Sequence, residues 1–194
     1  MASLPARIQA QLSRYYGIGE APPVDDFIAP AEGEAREALL IRELPGHVEV
    51  RIHLPRGAAG GRLSFDELCQ IIEGVSHFLY LAERARRELP ATQLELELQA
   101  EVDKYLLLSH DRAGFDPARA ARIRARLFDR VTYLHAPDTE RGARYRMAND
   151  LAARFARRLD ALFTRHGRVG PMRAMLRRFY GAGQTEKIGL AQAA

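Results

Sequence analysis

The sequence predicts an α+β fold: a small, mainly antiparallel three-stranded sheet (order β-β-α-β) packed with helices and followed by a C-terminal helical section. Three observations lead to this prediction. Apolar residues alternate with polar ones along residues 47–54 and again along 92–108, which is the period of a half-buried strand. Elsewhere, apolar residues recur every three or four positions, which is the period of a helix.

The N-terminal region contains a predicted helix, an arm and a hairpin. Residues 1–17 have helical periodicity, whereas residues 18–36 are rich in proline, glycine and acid and are predicted to form a loop. Residues 38–54 are predicted to form a β-hairpin, because Pro-Gly at 45–46 suits the centre of a type II turn. The glycine-rich loop at 55–62 has neither common phosphate-binding spacing, so no nucleotide is predicted there.

A helix with a clear start follows the glycine-rich loop. Ser64 and Glu67 form a predicted capping box, and Pro90 ends the helix near residue 89. Residues 92–108 are predicted to form the third strand, with leucines on one face. The acidic residues of its other face are Glu95, Glu97, Glu101 and Asp103.

The rest of the chain is predicted to be helical. Asp116 and Asp138 are predicted caps of two helices, and Pro171 begins a third. The pattern divides the chain into an N-terminal helix and arm, an acidic ββαβ core, a basic helical section packed on the same core, and a flexible tail. Their predicted bounds are 1–36, 37–110, 111–183 and 184–194.

The charge is distributed unevenly along the chain. Residues 111–194 contain 18 Lys or Arg against 8 Asp or Glu, a net charge of +10, whereas residues 1–110 carry −6. This split indicates an electrostatic partner for each half, although the halves could also neutralise each other within the fold or across a dimer. All but two of the 29 basic residues are arginine, a bias that is also typical of GC-rich genomes.

The usual signatures of enzymes and metal sites are missing from the sequence. The single cysteine, Cys69, excludes an internal disulfide and a cysteine-based zinc site. His47 and His53 share a strand face but lie about 20 Å apart at strand rise. The sequence therefore predicts no catalytic residue, metal or cofactor, and an enzyme of unknown class is the third interpretation. With no signal peptide pattern and only short apolar runs, we expect a cytoplasmic protein that does not insert into membranes.

The first functional interpretation is a non-enzymatic protein–protein interaction module: an adaptor, regulator or assembly subunit. Its acidic strand face and its basic helical face have opposite signs, which favours a protein partner or self-association into a homo-oligomer. The residues predicted to bind the partner are Glu95, Glu97, Glu101, Asp103, Arg119, Arg122, Arg126 and Arg130.

The alternative interpretation is a DNA- or RNA-binding protein. Arginine side chains along the C-terminal helices would contact phosphates, although no helix-turn-helix, RRM or zinc-finger pattern is present. The residues predicted to bind nucleic acid are Arg122, Arg126, Arg144, Arg154, Arg157, Arg158, Arg173 and Arg177.

Overall fold

A computed structural model describes residues 2–30, 37–44, 47–55, 63–111, 114–163 and 166–193. The fold is α+β, as the sequence predicts, but the sheet is mixed rather than purely antiparallel. The chain clusters into two compact units, described separately below. Unit 1 comprises Met1–Arg14 and Ile18–Leu89, and unit 2 comprises Tyr15–Gly17 and Pro90–Ala194.

Unit 1 packs one long helix against a small sheet. Helix α2 contacts strands β2 and β3, and its apolar side is buried through residues such as Ile71, Val75 and Phe78. The elements of this part of the chain are α1 (Leu4–Tyr16, whose last turn clusters with unit 2), a 3₁₀ turn (Val24–Phe27), β1 (Ile28–Pro30), β2 (Ala38–Leu44), β3 (His47–Leu54) and α2 (Phe65–Arg86).

The sheet has the strand order β1-β3-β2. Strands β2 and β3 are antiparallel, as predicted for a hairpin, with Leu39 opposite Ile52. Strand β1 pairs with β3 in parallel, with Ile28 opposite Ile52. The third strand therefore comes from the predicted N-terminal arm, and its three residues are too few to give an alternation pattern. The predicted hairpin turn at 45–46 and the glycine-rich loop at 56–62 lie outside the described residues.

The capping box at the start of α2 is confirmed. The Ser64 hydroxyl accepts a hydrogen bond from Glu67 N at 3.1 Å, and the Glu67 carboxylate accepts one from Ser64 N at 2.8 Å. Each bond satisfies a backbone amide that the helix itself leaves unpaired.

Unit 2 is helical apart from one short strand pair. Helix α3 packs on α5, and α7 packs on both α5 and α6. The elements of unit 2 are α3 (Gln93–Ser109), β4 (His110–Asp111), β5 (Gly114–Phe115), α4 (Pro117–Arg124), a π-helical turn (Ala125–Asp129), α5 (Glu140–Leu162), α6 (Val169–Gly181) and α7 (Gln184–Gln192).

The predicted strand at 92–108 is wrong, because this segment is helix α3. Thr92 caps it: the Thr92 hydroxyl accepts from Glu95 N at 3.2 Å, and the Glu95 carboxylate accepts from Thr92 N at 2.7 Å. Leucine and glutamate are both strong helix formers, so local propensity and the capping box together outweigh the alternation of apolar residues.

One predicted helix cap in unit 2 changes, and a segment predicted to be a tail is helical. Asp116 does cap α4, accepting from Ala118 N at 2.9 Å, but α5 is capped by Thr139 instead of Asp138. The predicted flexible tail at 184–194 is largely helix α7, in which Lys187 is buried. A single buried lysine breaks the apolar periodicity by which a helix is detected, so the sequence pattern did not indicate α7.

The Thr92 cap provides a direct test of the helical assignment of residues 92–108. Replacing Thr92 with alanine removes the acceptor for Glu95 N and also the hydrogen bond that the Thr92 hydroxyl donates to Gln184 Oε1 at 2.7 Å. We expect loss of the cap to lower the free energy of unfolding by about 1 kcal/mol. Urea denaturation measures this change, with Thr132→Ala, an exposed threonine outside any helix, as the matched control. Equal stability of the two variants would contradict the cap.

Candidate functional site

The four acidic residues predicted to form an exposed strand face do not form one. Glu95 and Asp103 are buried on α3, with 2% and 1% of their surface exposed. Glu97 is half-buried, and Glu101 pairs with Lys104 at 2.7 Å. Much of the negative charge that was expected on the surface therefore lies in the interior of unit 2 or is paired with Lys104.

Several of the predicted arginines are fully on the surface. Arg122 and Arg126 lie one helical turn apart where α4 runs into the π-helical turn, and Arg130 ends that turn. Among the described residues, no carboxylate forms an ion pair with Arg122 or Arg130. The other exposed members of the predicted set are Arg154, Arg157, Arg173 and Arg177.

Three other arginines that were predicted to bind a partner or nucleic acid make contacts within unit 2. Arg119 donates to the Leu108 carbonyl at 3.0 Å, and Arg158 donates to the Leu190 carbonyl at 2.9 Å. Arg144 pairs with Glu140 at 3.4 Å, a contact with an exposed carboxylate that contributes little to stability. Arg119 and Arg158 each donate a hydrogen bond to a carbonyl near the end of another element of unit 2.

The π-helical turn is held in place by a buried amide. Its own hydrogen bond runs from Arg130 N to the Ala125 carbonyl at 3.1 Å. The side chain of Asn149, buried on α5, donates to the Leu127 carbonyl at 3.1 Å. Asn149 thereby fixes the turn that presents Arg126 and Arg130, and π-helical turns of this kind are frequent at functional sites.

A buried ion pair that the sequence analysis missed joins α4 to α5. The Arg124 guanidinium contacts the Asp160 carboxylate, and Asp160 also accepts a hydrogen bond from the Tyr105 hydroxyl at 2.5 Å. Burial raises the pKa of Tyr105 to about 12, and the positive charge of Arg124 opposes that rise. Arg124 therefore belongs to the interior of unit 2, unlike Arg122 and Arg126 on either side of it.

The second buried polar cluster of unit 2 centres on Gln99. Its amide nitrogen donates to the Asp103 carboxylate and to the Tyr16 hydroxyl, each at 2.9 Å, and its amide oxygen accepts from Lys187 Nζ at 2.8 Å. The Tyr16 hydroxyl also donates to Asp103. Gln99 and Lys187 are completely buried. One amide thus bridges a carboxylate on α3 and an ammonium group on α7.

This cluster, Tyr16–Gln99–Asp103–Lys187, stabilises the fold instead of forming an open site. Burial raises the pKa of Tyr16 well above its ordinary value, and the negative charge of Asp103 adds to the rise. Lys187 also lies over the ring of Phe179, with Nζ 4.8 Å from the ring centroid. A group with no exposed surface cannot reach a partner, so Asp103 is removed from the predicted binding face.

Unit 1 contains one group of metal-ligating side chains in the described part of the chain. Glu37, Glu73 and His77 each offer one ligand atom, and these atoms lie within 4.8 Å of one another. The histidine spacing and the single cysteine predict no metal site, and Glu37 is distant from Glu73 and His77 in sequence.

Comparisons with protein-family models, with curated proteins and with solved structures found no match to this chain. Among the described residues, no helix is both long and apolar enough to cross a bilayer.

The burial of the Tyr105 hydroxyl predicts a loss of stability at alkaline pH. The pKa of Tyr105 is about 12 in the folded protein, above the ordinary value of 10, so the neutral hydroxyl stabilises the fold fully below pH 10. As pH rises from 10 to 12 the unfolded state ionises first, and about 2 kcal/mol of stability is lost.

Tyr105→Phe isolates this effect from other alkaline titrations. We expect the variant to be less stable than the wild type at pH 8, and the difference to shrink steadily between pH 10 and 12. Guanidinium denaturation at a series of pH values measures it. A difference that stays constant up to pH 12 would contradict the raised pKa of the buried Tyr105 hydroxyl.

Proposed function

We propose that this protein binds nucleic acid through an arginine surface formed by Arg122, Arg126 and Arg130 of unit 2. The observation that carries this proposal is the separation of charge. The carboxylates of α3 that were expected to complement these arginines are buried or half-buried within the same unit, while the three guanidinium groups are exposed. A surface with several exposed guanidinium groups attracts a polyanion.

The chemistry of the arginine surface favours phosphate over other anions. Guanidinium groups donate two parallel hydrogen bonds to phosphate oxygens, and they remain charged at all physiological pH values. Further guanidinium groups of unit 2, those of Arg157, Arg173 and Arg177, are also exposed and extend the positive potential. Because no base-reading motif is present, we expect contacts to the backbone of DNA or RNA without sequence preference.

Exposed acidic residues compensate only part of the positive charge, and one of them, Asp129, lies between Arg126 and Arg130. Asp150 pairs with Arg154 at 3.0 Å, and Glu186 pairs with Arg178 at 3.0 Å, so each neutralises a different arginine. Residues 90–194 contain 19 Lys or Arg against 12 Asp or Glu, so unit 2 keeps a net charge of +7.

The test is binding of fluorescently labelled mixed-sequence DNA and RNA at a series of salt concentrations. We expect affinity to fall steeply with salt, with a log–log slope of about −0.9 for each phosphate contacted on duplex DNA. Arg122→Glu with Arg130→Glu should weaken binding at least tenfold and reduce the slope by about 2.

The matched control is Arg7→Glu with Arg42→Glu, two exposed arginines of unit 1 that give the same change in net charge. If both double variants lose affinity equally, binding depends on the total charge of the protein, and the assignment of binding to the arginine surface is wrong. Absence of binding by the wild type at 50 mM salt would overturn the proposal.

Protein binding is a second proposal, favoured by exposed apolar side chains in unit 2. Leu134 is 68% exposed and Met147 is 51% exposed, and apolar side chains of this kind can be buried at a protein interface. If unit 2 self-associates through them, light scattering should show a dimer that Leu134→Ser with Met147→Ser converts to a monomer. A wild type that is monomeric over the whole concentration range would contradict self-association.

A further inference from the structure

We propose that Glu37, Glu73 and His77 form a binding site for a divalent transition-metal ion in unit 1. Glu73 and His77 lie one turn apart on α2 and therefore on the same side of that helix. Glu37 immediately precedes β2, and α2 packs against β2 and β3. The packing of helix on sheet thus brings together three side chains that are up to 40 positions apart.

The backbone next to these residues leaves room for Glu37. A Cβ added at Gly74 would lie 3.0 Å from Glu37 Cγ and 2.7 Å from Leu54 Cδ2, closer than normal contacts. Only glycine at position 74 lets the Glu37 side chain pass this close to α2. The site therefore depends on the missing side chain at position 74 as well as on its three ligand side chains.

A hydrogen bond also fixes the position of Glu37. The Gln70 amide oxygen accepts from Glu37 N at 3.1 Å, and the Gln70 amide nitrogen donates to Asp66 at 2.7 Å. Gln70, Gly74 and His77 fall on one stripe of α2, and each contacts or faces Glu37. Supporting contacts of this kind orient the ligands of metal sites.

The Glu37 carboxylate is an independent indication of a cation. Its side chain is only 9% exposed, and its Oε1 is buried without a hydrogen bond from any residue in the described part of the chain. It faces His77 Nδ1 across 3.5 Å, which is longer than a hydrogen bond. A buried carboxylate oxygen without a donor is costly, and a bound cation would remove that cost.

The donor set selects the class of ion. One imidazole nitrogen and two carboxylate oxygens suit Zn²⁺, Mn²⁺, Fe²⁺ or Co²⁺, whereas Mg²⁺ and Ca²⁺ prefer oxygen ligands alone. Ligand bonds of about 2.0–2.2 Å place such atoms about 3–4 Å apart, so a spread within 4.8 Å needs to close by less than about 2 Å. Three protein ligands leave at least one coordination position for water.

The test is metal titration of the full-length protein after dialysis against a chelator. We expect Co²⁺ to produce a visible absorption spectrum that saturates at one equivalent, and Zn²⁺ to displace it. The same ions should raise the melting temperature, because an ion that binds only the folded state stabilises it. Mg²⁺ at the same concentration should do neither.

Variants assign the binding to these residues. Glu73→Gln is nearly isosteric and His77→Asn removes the imidazole, and each should weaken Co²⁺ binding at least tenfold. Glu49→Gln with His53→Asn, which changes the same residue types on β3 of the same unit, should bind Co²⁺ like the wild type. Circular dichroism checks that each variant is folded.

Two results would overturn the proposal. One is the absence of any Co²⁺ spectrum with the wild type at millimolar metal, which would make the cluster a Glu37–His77 contact only. The other is a wild-type spectrum that persists in both Glu73→Gln and the control, which would place the metal elsewhere. Glu73→Gln keeps the shape of the side chain. If His77→Asn alone fails to fold, Glu73→Gln therefore still tests whether the metal binds at this site.

Discussion

The structure of unit 2 depends on one buried amide, that of Gln99. A carboxylate and an ammonium group are both costly to bury, and each is tolerated here because Gln99 hydrogen-bonds to both. The cluster Tyr16–Gln99–Asp103–Lys187 joins α3 to α7 and to the last turn of α1. Removing the Gln99 amide would break its hydrogen bonds to Tyr16, Asp103 and Lys187 at once, so this residue contributes to how these elements pack.

The burial of acidic residues also determines the charge on the surface of unit 2. Asp103 joins the interior through Gln99, Glu95 through the cap of α3, and Asp160 through Arg124 and Tyr105. Each carboxylate satisfies donors inside the unit instead of arginines on its outside. The arginine surface is therefore positive because of how the acidic residues fold, and the sequence charge alone does not show this.

Local signals in the sequence predicted most of the helices but not α3. The alternation of leucine and glutamate after residue 93 has the period of a strand, although Thr92 and Glu95 already formed a capping box. The same rule correctly placed the start of α2 at Ser64, so weighing caps above alternation would have corrected the error. Two other elements had weak sequence patterns. Strand β1 is only three residues long, and helix α7 contains a buried lysine.

The two candidate sites also differ in how far the sequence predicts them. Exposed arginines at Arg122 and Arg126 were predictable because spacings of three and four residues define a helix face. The group Glu37–Glu73–His77 was not predictable, because it requires the packing of α2 on the sheet and the space left by Gly74. Contacts between residues distant in sequence leave no periodic signal.

The most direct test of the account is arginine modification by phenylglyoxal, followed by mass spectrometry, with and without an oligonucleotide. It reports separately which guanidinium groups are exposed and which are covered by phosphate. The account predicts that Arg122 and Arg130 react rapidly in the free protein and are protected by the oligonucleotide, while Arg124, paired with Asp160, reacts slowly in both states. Rapid modification of Arg124, or no protection of Arg122 and Arg130, would contradict it.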